Sequence, residues 1–165
     1  MASRKAQSSL SAVRTLMEDY AKRGVFRGFT QQRARNGVAA FRMLWHRDLV
    51  FDLIVDTKKK TILIPVVLPA VPASSPLYKD FKVFVESHHA ATLPDHRRIE
   101  KTKARVRCAN RRGSVSLTMA VRDDDYGYAL QRLIHLVHET FLIFLTSGPY
   151  RDYLVEQLGA EAAIG

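Results

Sequence analysis

The residues best suited to chemistry stand near the end of the chain, in RLIHLVHETFLIFLTSGPY (132–150). His135 and His138 are three apart, Glu139 follows the second, and Phe141 to Leu145 are all apolar. Side chains three apart are neighbours on a helix surface, so the two imidazoles could share a metal ion. A metalloprotease helix, however, spaces its histidines by four and places the glutamate directly after the first. Tyr126, Leu130, Leu133, Val137, Phe141 and Phe144 form the apolar stripe of this helix. At about 100° per residue, His135 falls nearly opposite that stripe, His138 near its border, and Glu139 outward. The spacing therefore predicts polar residues facing solvent or an interface, and no metal site.

Three other groups could do chemistry. Asp123, Asp124 and Asp125 are consecutive carboxylates, but a calcium loop needs spaced ligands and a glycine turn, so Asp123 or Asp124 is expected to cap a helix. His88, His89 and His96 gather around a helix end beside Asp95 without a recognised ligand spacing, and the helix dipole accounts for them. Cys108 alternates with Ala104 and Val106 on the apolar side of a strand and has nothing nearby to activate its thiol. No nucleophile elbow, phosphate loop or dinucleotide fingerprint occurs, and neither an enzyme nor a cofactor is expected.

Charge is the stronger signal. The formal charge is +10, and between Arg97 and Arg112 lie eight basic residues and one acid, Glu100. A local excess of this kind suits an anionic partner. Lys103, Arg105 and Arg107 share one strand face, with Arg111 and Arg112 at its end, and this is the candidate nucleic-acid surface. The hairpin has no aromatic platform for unstacked bases. The bland alternative is a solvated face paired with Asp52, Asp56 and neighbouring acids.

The elements that must position these residues follow from periodicity. Leu10, Val13, Met17 and Tyr20 predict a helix over 8–23, capped by Ser8 or Ser9 and ended by Gly24, behind a frayed end at 1–7. This basic, serine-rich start could also be read as a transit peptide; the amphipathic helix is preferred. Residues 25–36 are a short strand or an arm, and Asn36-Gly37 is a hairpin signal if strands flank it. VAAFRMLWH, LVFDLIVD and TILIPVVLP alternate as strands, with Pro65 marking an edge or a bulge. PAVPASSP leads into a helix to about His88, capped by Ser74 or Ser75 with Pro76 in its first turn. TKARVRCAN and SVSLTMAV form a hairpin about RRG. A long helix runs to about Thr146, and Tyr150, Tyr153, Leu154 and Leu158 mark an additional one over 149–158.

The expected fold is a single α+β domain: an antiparallel sheet of five strands, or six with 25–36, and helices on one face. The order is α-β-β-β-α-β-β-α-α. At 165 residues the chain can bury a core without staples. One cysteine allows no internal disulfide and fits a reducing compartment. The longest apolar run, five residues, is far short of the ~20 a membrane span needs.

In order and hydrophobic pattern the chain resembles the type III secretion chaperones and their YbjN-like bacterial relatives over roughly residues 8–146. The stretches that carry this are FRMLWHRDLVFDLIVDTKKKTILIPVV and VRCANRRGSVSLTMAVRDDDYGYALQRLIHLV. The resemblance implies a cytoplasmic, non-enzymatic, often dimeric module that holds a protein or peptide on apolar surfaces, and it supplies no catalytic residue. Phe41, Trp45, Phe51 and Phe81 are the residues expected to form that surface, or else the core. Two departures stand out: secretion chaperones are typically acidic, whereas this chain is basic, and it carries the extra terminal helix. The FLIFL run is apolar all round, so the terminal helix or a second copy must cover it, and a homodimer is expected.

Overall fold

The computed structural model describes residues 3–32, 34–146 and 148–158. The first helix, α1 (Arg4–Lys22), turns Leu10, Val13 and Met17 inward. It starts earlier than its periodicity suggested. Ser3 is the cap, its hydroxyl accepting the Ala6 N–H at 3.0 Å, and the RKAQ that follows is made of good helix formers. Residues 4–7 are thus helical rather than frayed; Met1 and Ala2 lie outside the described residues. The helix stops where Gly24 turns left-handed (φ +80°), with Gly24 N–H bonded to Ala21 and Val25 N–H to Tyr20.

The uncertain segment contains a strand. β1 (Gly28–Gln31) pairs antiparallel with β2 (Val38–Leu44), which makes the sheet six-stranded. Asn36-Gly37 forms the turn, with φ of 53° and 79°, and Arg35 and Val38 exchange backbone hydrogen bonds of 2.8 and 2.9 Å. Arg33 lies outside the described residues. Gly37 also accepts from the Thr57 hydroxyl at 2.6 Å, and a Cβ at Gly37 would stand 2.6 Å from that oxygen. Gly37→Ala is therefore expected to destabilise the fold by more than about 1 kcal/mol, read as a lower urea midpoint at unchanged slope. An unchanged midpoint would mean that the turn tolerates the clash by shifting.

β3 (Val50–Asp56), β4 (Thr61–Leu68), β5 (Ala104–Arg111) and β6 (Ser114–Val121) complete an all-antiparallel sheet of order β1-β2-β3-β4-β6-β5. α2 (Pro76–Glu86) carries the chain from β4 to the far edge, and β6 returns beside β4. Ser75 caps α2 and Pro76 opens it. Pro65 sits in a central strand, so of its two readings the bulge is correct. Between Ile64 and Leu68 the ladder advances four residues on β4 against two on β6. Val67 and Leu68 are then buried in succession while Val66 faces water, so alternation breaks at that point.

α3 (Tyr126–Glu139) continues through a π-helical turn, Thr140–Phe144, and α4 (Arg151–Gln157) follows. The α3 cap is Asp125, whose carboxylate accepts from Tyr128 N–H, rather than Asp123 or Asp124. Asp123 accepts from Asp125 N–H, and Asp124 pairs with Lys5 and Lys60, so the three carboxylates diverge.

The helices cover one face of the sheet. Ala39, Phe41 and Met43 of β2, Phe51, Leu53 and Val55 of β3, and Leu117 and Met119 of β6 all turn toward them. Phe41, Trp45, Phe51 and Phe81 are 1%, 4%, 2% and 0% exposed. They lie in the core, beneath the helices, rather than on the surface. Alternation groups the three sheet aromatics on one face, and that is the face the helices occupy. No described helix is long and apolar enough to cross a membrane.

Candidate functional site

The two histidines of α3 diverge. His135 Nε2 lies 2.9 Å from Glu139 one turn on, whereas His138 enters a ring cluster with Trp45 and His46. Glu139 does not point outward; it is 5% exposed. Arg97 reaches over from the segment before β5 and donates to both carboxylate oxygens, at 2.5 and 3.1 Å. His88, itself 2% exposed, brings Nε2 to 3.4 Å from the same carboxylate while its Nδ1 bonds the Phe84 carbonyl. Burial alone would raise the Glu139 carboxyl. The Arg97 hydrogen bonds and the charges of His88, Arg97 and His135 outweigh burial and leave it below its usual range.

This carboxylate is one anchor of a clamp. Tyr128 accepts from Glu100 N–H and donates to the Arg98 carbonyl, and Arg132 donates to the carbonyls of Arg98 and Asp95. On the other side His89 Nδ1 bonds the Ile99 carbonyl and Nε2 accepts from Val106 N–H, which seals part of the outer edge of β5. The histidines expected to serve a helix dipole thus hold the 90–103 segment in place, while His96 stays exposed.

The second cluster joins Trp45, His46, His138 and Phe141. His46 stacks on Phe141 at 4.7 Å and 9°, with His138 edge-on at 4.8 Å. Burial, then the charges of His138 and Arg47, push His46 down to about 4; burial and His135 also lower His138. Among the described residues no three His, Cys, Asp or Glu side chains are grouped to hold a metal ion. Cys108 is half-buried and burial raises its thiol, which disfavours the thiolate.

The basic run splits in two. Arg97 pairs with Glu139, Arg98 with Asp95 and Glu100, Lys101 with Glu86, and Lys103 lies 4.8 Å over the Tyr128 ring. Lys103 precedes β5 and is turned to α3, so it leaves the proposed stripe. Arg105, Arg107, Arg111 and Arg112 remain exposed, and among the described residues none has an acidic partner. The acids expected to neutralise them are elsewhere. Asp52 pairs with Arg42 across β2 and β3 at 2.8 Å, and Asp56 accepts from Lys58 and Lys59 N–H in its turn. β4 and β6 separate β3 from β5, three strand spacings or about 14 Å.

These arginines border the open face of the sheet. The register lines up Ala40, Ile54, Leu63, Thr118 and Arg107 across five strands, and Val38, Asp56, Thr61, Ala120 and Arg105 in the next row. Leu44, Val50 and Val66 on this face are 38%, 58% and 41% exposed. The face therefore has aliphatic side chains at its centre and an unneutralised arginine edge. Its aliphatic part was missed from sequence, although Val50 and Leu63 occupy the polar phase of their strands and so signal it.

The terminal helix answers part of the FLIFL question. Tyr150 stacks on Phe144 at 5.2 Å, and Leu154 and Leu158 are buried, but Leu142 and Ile143 stay 64% and 52% exposed.

What the fold and site define is an α+β domain with one helix-covered and one open sheet face. Without β1 and α4 its elements run helix, three strands, helix, two strands, helix. No protein-family model, no curated protein and no solved structure matches the chain.

Proposed function

We propose that the protein is a non-enzymatic binding module whose open sheet face docks an acidic protein surface. The observation that carries this reading is the row of Arg105, Arg107, Arg111 and Arg112, exposed and without acidic partners among the described residues, beside exposed aliphatics. An apolar centre with an arginine-bearing rim is the usual anatomy of a protein interface. The aromatic residues first expected to make the surface now stabilise the sheet that presents it. The secretion-chaperone resemblance implied the same class of role, through a different surface.

A homodimer drew its support from the need to cover FLIFL. With Phe144 covered by Tyr150, two exposed side chains fall well short of the ~1,000 Å² a specific interface buries. Docking the open face on a second copy would bring together chains of formal charge +10. An acidic partner fits better.

Nucleic acid is the second reading, favoured by the same arginines. Among the described residues the face carries no aromatic side chain for base stacking, so phosphate contacts would have to supply the affinity. The test is a peptide array in which acidic and aliphatic content vary independently, run beside duplex and single-stranded RNA at two salt concentrations. Binding is expected to require both acidic and aliphatic residues, and Arg105→Glu with Arg107→Glu is expected to weaken it about tenfold or more. RNA binding that falls steeply with salt, with no peptide selected, would replace this reading by the second.

A further inference from the structure

The open face is not flat. The two extra residues of β4 lift Pro65 and Val66 out of the ladder with β6 and make the wall of a groove of about 620 Å³. Leu63, Pro65 and Val66 give it an aliphatic side, and Arg111, Arg112 and Ser116 a polar one. Asn110 also lines it but is committed to the hairpin, donating to the Val71 carbonyl and accepting from Gly113 N–H. Both arginines are exposed and have no acidic partner among the described residues.

Arg112 occupies a position that its own side chain disfavours. With φ of 53°, followed by Gly113 at 90°, it is the first central residue of a two-residue turn in which both φ values are positive. Asn, Asp or Gly suits that position, and β1 and β2 use Asn36 there. An arginine held in the left-handed region at the mouth of a groove is backbone strain placed beside a candidate ligand site.

Resting on the binding role argued above, we propose that this groove holds an extended, acidic–aliphatic segment of the partner. A carboxylate of the segment lies on Arg111 and Arg112, within reach of the Ser116 hydroxyl, and the neighbouring aliphatic side chain lies on Pro65 and Val66. An extended strand places alternate side chains on one side, so acid and aliphatic positions two apart meet the two walls together. A phosphate backbone has no aliphatic group to offer Leu63, Pro65 and Val66, so the groove favours a polypeptide.

The probes are labelled decapeptides with serine at every other position and the test residues two apart: a glutamate–leucine peptide (Ser-Glu-Ser-Leu repeats), a glutamate–serine peptide with serine for leucine, and a lysine–leucine peptide with lysine for glutamate, together with a twelve-base-pair RNA duplex. Wild-type protein is expected to bind the glutamate–leucine peptide at least about fivefold more tightly than the other three. Arg112→Asn is expected to raise Tm, because the turn relaxes, while weakening that peptide at least about fivefold. Val66→Glu, at an exposed position, is expected to weaken it about tenfold with Tm unchanged. If Arg112→Asn and Val66→Glu bind like wild type while Arg105→Glu with Arg107→Glu does not, the groove is wrong and the face is right. If wild-type protein ignores both glutamate peptides, or prefers the duplex, both proposals fall together.

Discussion

Glu139→Ala is expected to lower stability by about 3–5 kcal/mol, a large share of the roughly 5–15 kcal/mol that holds a domain of this kind folded. The reason is asymmetry. Removing the carboxylate takes from Arg97 and from the buried His88 the partner they share, and leaves a guanidinium uncompensated beside the core. Removing Arg97 as well relieves part of that cost, so Arg97→Ala with Glu139→Ala is expected to lose less than the sum of the single losses. Urea denaturation of the four proteins gives both numbers. A Glu139→Ala loss within 1 kcal/mol would show that the carboxylate is peripheral.

The same residue sets a pH signature with a definite sign. The Glu139 carboxyl is held below its ordinary 4.5, so its contribution is complete above that value and disappears as pH falls through the folded value. His46 acts in a higher window. Its imidazole titrates at about 4 in the fold and near 6.5 when unfolded, so the unfolded chain takes up the proton first. Stability should therefore decline from about pH 6.5 to about pH 4, by roughly 2 kcal/mol after allowance for partial solvent access. Glu139→Ala should keep that upper decline and lack the lower one.

Glu139 also shows where sequence reading stops. Periodicity placed it on the outer side of its helix, and taken against the sheet alone that is correct. Its cover comes from Arg97, 42 residues earlier, and from His88 at the end of another helix, neither of which a helical wheel contains. The basic run failed to be uniform for the same reason. Arg97, Arg98, Lys101 and Lys103 look identical in sequence to Arg105 and Arg107, and only tertiary neighbours decide which are spent on the fold.

Local signals fared better. The alternation of Ala104, Val106 and Cys108 against Arg105 and Arg107 is legible, as are Gly24 and Ser75-Pro76, while Asn36-Gly37 and Pro65 are legible as irregularities whose form, hairpin and bulge, only the strand pairing decides. Each depends on one or two residues and their immediate backbone. Alternation says which side chains share a face. It does not say which face the helices take, and that is why the open face, with Val50, Leu63 and Val66, was not identified beforehand.

Phe81→Ala measures whether the aromatic residues serve the core or a ligand. Phe81 is fully buried on α2, 6.2 Å from the Phe84 ring and 5.4 Å from that of Phe144. Truncation removes a whole ring from a packed site and is expected to lower stability by about 3–5 kcal/mol. The loss should spread to the terminal helix, because Phe144 carries Tyr150 on its other contacts and Tyr150 is hydrogen-bonded to Asp80 of α2. Proteolysis should accordingly reach α4 sooner in the variant than in the wild type. The fraction that remains folded should still bind the glutamate–leucine peptide with unchanged affinity, since the open face lies across the sheet from α2. A variant with unaltered Tm and abolished binding would reverse the assignment and return Phe81 to a ligand groove.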